Sequence, residues 1–118
     1  MSVHLEKAIK RLKKHILVLG GRVEENVRLA VQSVIARDGE LAKTAIANDD
    51  PIDQLEVDIE EEGLKMLALY QPVAIDLRFI TAVLKINNDL ERIGDVAVNI
   101  AERGLYLSEQ TPAKLQLD

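Results

Sequence analysis

The chain has 118 residues, of which 47% are hydrophobic and 30% charged, with 15 basic against 20 acidic residues for a net charge of −5. That is one domain's worth of chain with enough apolar content to form a core, and the absence of cysteine excludes disulfide frameworks, thiolate metal sites and cysteine nucleophiles. Only 3% of residues are aromatic, tryptophan is absent and the balance is acidic, which argues against base stacking and against a phosphate-tracking surface. No apolar run approaches the ~20 residues of a membrane span, and the basic N-terminal stretch lacks a signal-peptide core, so a cytoplasmic protein is expected.

Apolar residues recur at Leu5, Ile9, Leu12, Ile16, Leu19, Val23, Val27, Ala30 and Val34. Steps of three and four over that length predict one long helix, about 3–36, running unbroken through Gly20-Gly21. Asp38-Gly39 reads as a turn, with Asp38 capping a short helix of about 39–47. Asn48-Asp49-Asp50-Pro51 is the clearest boundary, where Asp50 suits the N-cap and Pro51 the first helical position. A second long helix of about 51–70 follows, with Ile52, Leu55, Ile59, Met66 and Leu69 on one face and Asp53, Glu56, Asp58, Glu60, Glu61 and Glu62 on the other. Gln71-Pro72 closes it, and Pro72 opens a third helix to about 107. The remainder, about 109–118, reads as a tail. No segment alternates apolar and polar residues, and no Asn-Gly hairpin turn is present, so an all-α antiparallel three-helix bundle in a single domain is expected.

On a helical wheel of the third helix, Phe79, Ala82, Val83, Ile86, Leu90, Ile93, Ala97, Ile100 and Ala101 form the expected core arc. Opposite them lie Asn88, Glu91, Asp95, Asn99 and Glu102. Carboxylates at i and i+4 repel by a few tenths of a kcal/mol, and folding alone does not call for them there. Glu91, Asp95 and Asn99 offer the oxygen ligands that hard cations prefer. A solvated acidic stripe is the plainer reading. Asp53, Glu56 and Glu60 on the second helix form a similar cluster. Nearer the start of the third helix, Val73, Leu77, Ile80 and Leu84 share the Glu91 side, so that half is apolar nearly all round and calls for a partner on its second face. Asp89 and Arg92 flank the acidic stripe as an ion pair or as recognition residues. Gly94 implies close approach of a neighbouring segment.

Gln71-Pro72-Val73-Ala74-Ile75-Asp76-Leu77-Arg78, then Leu84-Lys85-Ile86, then the stretch Asp89 to Glu102 (DLERIGDVAVNIAE) resemble the signature of the PhoU family, and Gly21-Arg22-Val23-Glu24 is similar to its entry segment. The resemblance covers nearly the whole chain. It implies a three-helix bundle whose third helix carries a metal-binding Glu/Asp-x-x-x-Asp motif, here Glu91 and Asp95. It also implies a non-enzymatic accessory of phosphate uptake, in contact with the transporter's ATPase subunit and a membrane sensor kinase and meeting the membrane only through such partners, that represses phosphate-starvation signalling. The metal would be magnesium, manganese, iron, calcium or nickel. Family members carry two such bundles in tandem where this sequence has one without internal repeat, so a homodimer or a missing second repeat is expected on the third helix, through Val73, Leu77, Ile80 and Leu84.

Other classes fit less well. A carboxylate-bridged di-metal enzyme needs Glu-x-x-His pairs on facing helices. The histidines are His4 and His15, and neither follows a glutamate by three positions. A histidine phosphotransfer domain has a similar size, and His4-Leu5-Glu6-Lys7 resembles its His-x-x-Lys motif, but at the fraying start of a helix. A metal-independent helical interaction module shares the fold and treats Glu91 and Asp95 as surface charge.

Overall fold

The computed structural model describes residues 3–110. They form α1 (Val3–Ile35), α2 (Gly39–Ala47), α3 (Asp49–Tyr70) and α4 (Ala74–Ser108). The expected boundaries hold to within a residue or two, and α1 continues through Gly20-Gly21. α2 and α3 run back along α1, and α4 runs parallel to α1 in the most extensive pairing of the bundle. The result is a rod of 65 × 20 × 16 Å.

α1 stops in a left-handed turn at Arg37, φ 52°. The Arg37 N–H donates to Val34 O and the Asp38 N–H to Ser33 O, the paired bonds that close a helix C-terminus. Asp38 then caps α2, its carboxylate accepting from the N–H groups of Glu40 and Leu41, as the sequence predicted. Two other start signals are displaced. Asn48, not Asp50, precedes α3, and Ile52 N–H makes the first return bond, to Asn48 O. Pro51 therefore sits in the third helical position, which like the first has no partner for its N–H, so proline is tolerated equally there. α4 begins at Ala74 after an extended Val73, not at Pro72. Gln71 turns left-handed (φ 45°) and Pro72 is buried beneath the α3–α4 connection.

The core has two clusters. Leu5, Leu12, Leu19, Val23, Ile52, Ile59, Met66, Ile80 and Val83 belong to the larger one, and Ala30, Ala45, Ala97 and Ala101 form a second near the α2 end. Inward positions of α1 fall to Asn26 and Ser33, where the apolar pattern favoured Val27 and Val34. Asn26 is held by donating to Ala45 O (2.9 Å) and accepting from Asn48 Nδ2 (3.1 Å), which ties α1 to α2 and to the start of α3.

The buried line of α4 is Ile80, Val83, Asn87, Gly94, Ala97, Ala101 and Gly104. This corrects the wheel by about 50°, half a residue step, toward Glu91. Ala82 is exposed, and Ile86 and Ile93 are 47% and 45% exposed. Helices that approach closely select small inward residues, whereas the bulkiest side chains marked the face just beside them. Ile80 is therefore fully buried in the bundle, and Leu84 is turned onto α3, where a Cβ on Gly63 would come 2.7 Å from Leu84 Cδ2. Ile80 is thus closed off within the bundle and Leu84 is half-buried, whereas Val73 and Leu77 are exposed. On α3, Leu69 is 63% exposed and not part of the core face.

Close packing is real at Gly104, where a Cβ would lie 3.1 Å from the backbone carbon of Ser33. At Gly20 and Gly21 it would meet nothing within 4 Å. Gly104→Ala should therefore push α4 off α1 and destabilise the fold by about 1–2 kcal/mol. Gly20→Ala and Gly21→Ala should each stabilise it by up to about 1 kcal/mol through helix propensity alone. Thermal unfolding checks both signs, at roughly 4–8 °C per kcal/mol for a domain near this size.

Candidate functional site

Asp49, Asp53, Glu56 and Glu60 follow one another at steps of four, three and four along one side of α3, and α4 brings Glu91 and Asp95 opposite them. Asp53, Glu56, Val57, Glu60, Glu91 and Asp95 line a recess between the two helices. Asp49, Asp53 and Asp95 each place one carboxylate oxygen within 4.8 Å of the others. The N-terminus of α3 supplies some compensation, because its free N–H groups and dipole favour negative charge in the first turn.

Register between the helices comes from Asn87. It is 3% exposed and its Nδ2 donates to the main-chain Glu56 O at 2.9 Å. Glu56 thereby sits inward at 3% exposure. Its Oε1, with Asp49 Oδ1, is buried without a hydrogen-bond partner. Unpaired buried carboxylate oxygens are costly. Burial pushes the Glu56 carboxyl up to about 7, helped by Asp53, Glu91, Asp49 and Asp95. Burial, then Asp53, Asp95 and Asp50, push Asp49 up to about 6. Gly94 belongs to this arrangement. A Cβ there would lie 3.7 Å from Glu56 Oε1 and 3.9 Å from Asp49 Oδ1, so the segment approaching Gly94 is the pair of unpartnered oxygens.

Of the residues singled out in the sequence, Glu91 and Asp95 meet in the recess with Asp53, Glu56 and Glu60. The acidic clusters of the second and third long helices thus form one group. Asn99 is exposed, one turn beyond Asp95. Asp89 accepts from Arg92 Nη2 at 2.6 Å in an exposed pair, worth at most a few tenths of a kcal/mol. Asp49 and the burial of Glu56 were missed. The signal for Glu56 was available, since the core phase Ile52, Ile59, Met66 runs through position 56.

The donor set is all carboxylate oxygen, which suits magnesium, calcium, manganese or other hard cations. Metal–oxygen distances of about 2.0–2.6 Å are compatible with one ion touching oxygens up to about 5 Å apart. The buried, unpartnered oxygens of Glu56 and Asp49 are acceptors that a cation would satisfy, so the residues fit such a group.

Fold and recess together define a class: an all-α three-helix bundle with a carboxylate-lined seam between its second and third long helices. The sequence profile described as the PhoU domain matches residues 16–104, and the chain belongs to the PhoU family. It is 44% identical over 110 residues to the phosphate-specific transport system accessory protein PhoU homolog of Aquifex aeolicus, covering 93% of this chain and 50% of that protein. Against PhoU homolog 1 of Thermotoga maritima it is 40% identical over 108 residues, covering 92% and 47%. Against the Caulobacter vibrioides NA1000 homolog it is 39% identical over 116 residues, covering 95% and 50%. The chain spans about half the length of these curated relatives.

The raised carboxyls carry a pH signature. With metal chelated, the native state holds protons on Glu56 and Asp49 between about pH 4 and 7 that the unfolded chain has already released. The stability linked to them is present below the ordinary carboxyl range and is lost as pH rises toward 7. Glu56→Gln should remove most of that loss, raising stability near pH 7.5 by about 1–3 kcal/mol and changing little at pH 4. Denaturant unfolding of both proteins at the two pH values checks it.

Proposed function

We propose that the chain is a regulatory unit of phosphate uptake that binds a divalent or trivalent metal ion in the α3–α4 recess and acts by contact with other proteins, not by catalysis. Membership of the family and the phosphate-transport role its relatives are named for support the phosphate-uptake role. One observation carries the metal: buried Glu56 and Asp49 oxygens without partners, beside Asp53 and Asp95. Glu91, Asp95, Asp53 and Asp49 would hold the ion, with Glu56 behind them and Asn99 reached only by an ion nearer the rim. The bound ion would offset repulsion among carboxylates on α3 and α4 and so tighten the two helices against each other.

Because the chain spans half of its relatives, we assign the neighbouring surface to a second bundle, in the same protein or in a second copy. Val73 and Leu77 remain exposed for such a contact, and Ile86, Ile93 and Val96 add 45–53% exposed apolar surface along α4. The transporter ATPase and a sensor kinase are the further partners this role requires, in the cytoplasm. No helix among the described residues is long and apolar enough to cross a membrane.

Thermal unfolding in a manganese or magnesium titration tests this reading. A metal at about a hundredfold its Kd should stabilise the native state by about 2.7 kcal/mol. The Glu91→Ala/Asp95→Ala variant should lose that gain while folding normally, since both side chains are exposed. Saturating metal with no shift in the unmodified protein would leave a metal-independent interaction module.

A further inference from the structure

The outer face of the first half of α1 carries charge that the bundle does not use. Lys7, Lys10, Lys13 and Lys14 lie on its exposed arc, followed by Leu17 and Val18 at 66% and 41% exposure. None of the four lysines is in an ion pair among the described residues, although Arg28, Lys43 and Arg92 elsewhere are. Glu6 is the one acidic residue on this arc. Lys10, Lys13, Lys14, Leu17 and Val18 line a single shallow, mostly apolar depression, with the lysine stems beside the two aliphatic side chains. Beyond Val18, Gly20 and Gly21 keep the surface free of protruding side chains.

A row of lysines whose stems flank exposed aliphatic residues on one helical face is the pattern of a helix lying in a bilayer interface. Two features favour a bilayer over a protein groove. The face runs along the side of a rod 65 Å long and its depression is shallow, which fits a flat, deformable surface better than it seats another helix. The acidic recess lies in the α3–α4 seam, and three packed helices turn that seam away from the outer side of α1. The carboxylates of the recess therefore lie on α3 and α4, away from the lysine-bearing face.

We propose that this face docks on an anionic lipid surface, with Lys7, Lys10, Lys13 and Lys14 among the headgroups and Leu17 and Val18 at the acyl boundary. The rod then lies along the membrane with its carboxylate recess facing away from it. Each lysine near such a surface contributes about a fivefold factor in partitioning.

Co-sedimentation of the full chain with vesicles tests the docking. The protein should bind phosphatidylcholine vesicles containing about one third phosphatidylglycerol, should not bind pure phosphatidylcholine, and should be released by high salt. Lys10→Glu/Lys13→Glu/Lys14→Glu should weaken binding by about a hundredfold or more, and Leu17→Asp by about tenfold. The charge-matched Lys43→Glu/Lys85→Glu/Arg103→Glu variant, altered elsewhere on the surface, should bind within a few-fold of the unmodified protein. Circular dichroism checks that each variant folds. Absence of binding to the anionic vesicles overturns the proposal, as does equal weakening by both triple variants, which would make net charge the only determinant. Binding to a polyglutamate peptide but not to vesicles would overturn it in favour of an acidic protein partner.

Discussion

The hydrogen bond from Asn87 Nδ2 to the main-chain oxygen of Glu56 sets the register on which the carboxylate recess depends. It is buried and directional, and a slip of one residue along either helix would leave the amide unpaired in the interior. With it formed, Glu56 is carried inward and Asp49, Asp53, Glu91 and Asp95 come together. A purely aliphatic contact at this point would pack but would not specify alignment, because apolar surfaces tolerate sliding. Asn26 does the corresponding work on α1 through Ala45 and Asn48. Two buried amides thus position the helix that carries half of the recess.

The recess is built at the expense of local stability. Glu56 occupies a position that a leucine or isoleucine would fill well, and its carboxyl is driven toward neutrality by burial and by its acidic neighbours. Gly94 gives up helix propensity beside the same oxygens. Such departures from good folding, concentrated at one seam, are expected where a binding requirement competes with packing. The exposed Asp89–Arg92 pair, by contrast, satisfies itself along one helix and adds little.

The helices were legible because their signals are local. The three- and four-residue recurrence of Leu and Ile, the Asp38 cap and the breaks at Asn48-Asp49-Asp50-Pro51 and Gln71-Pro72 each act within a turn or two of chain. The face of α4 was less legible. Inward positions of a closely approached helix go to Gly, Ala and Asn, so a wheel weighted by bulk placed Ile86 and Ile93 in the core and Ile80 and Leu84 outside it. Glu91 and Asp95 were visible as an i,i+4 pair on a helix. Their union with Asp49, Asp53 and Glu56 depends on the relative rotation and register of two helices, and no local pattern encodes that. Glu56 alone left a trace, a charge in the middle of an apolar phase.

Asn26, Asn87 and Gly94 also lie between two parts of the interior that Val27 bridges. On one side lies the aliphatic cluster from Leu5 to Val83, on the other the alanine cluster of Ala30, Ala45, Ala97 and Ala101. A rod so slender has no single centre from which cohesion radiates, so its halves communicate through the short stretch that joins them, much as neighbouring units do in a linear repeat. Here the joint is Val27 and a polar belt with an excess of negative charge. Whatever neutralises that belt fastens the two compartments together, and whatever charges it lets either end loosen without the other. The cooperativity of the whole bundle is therefore governed from its middle.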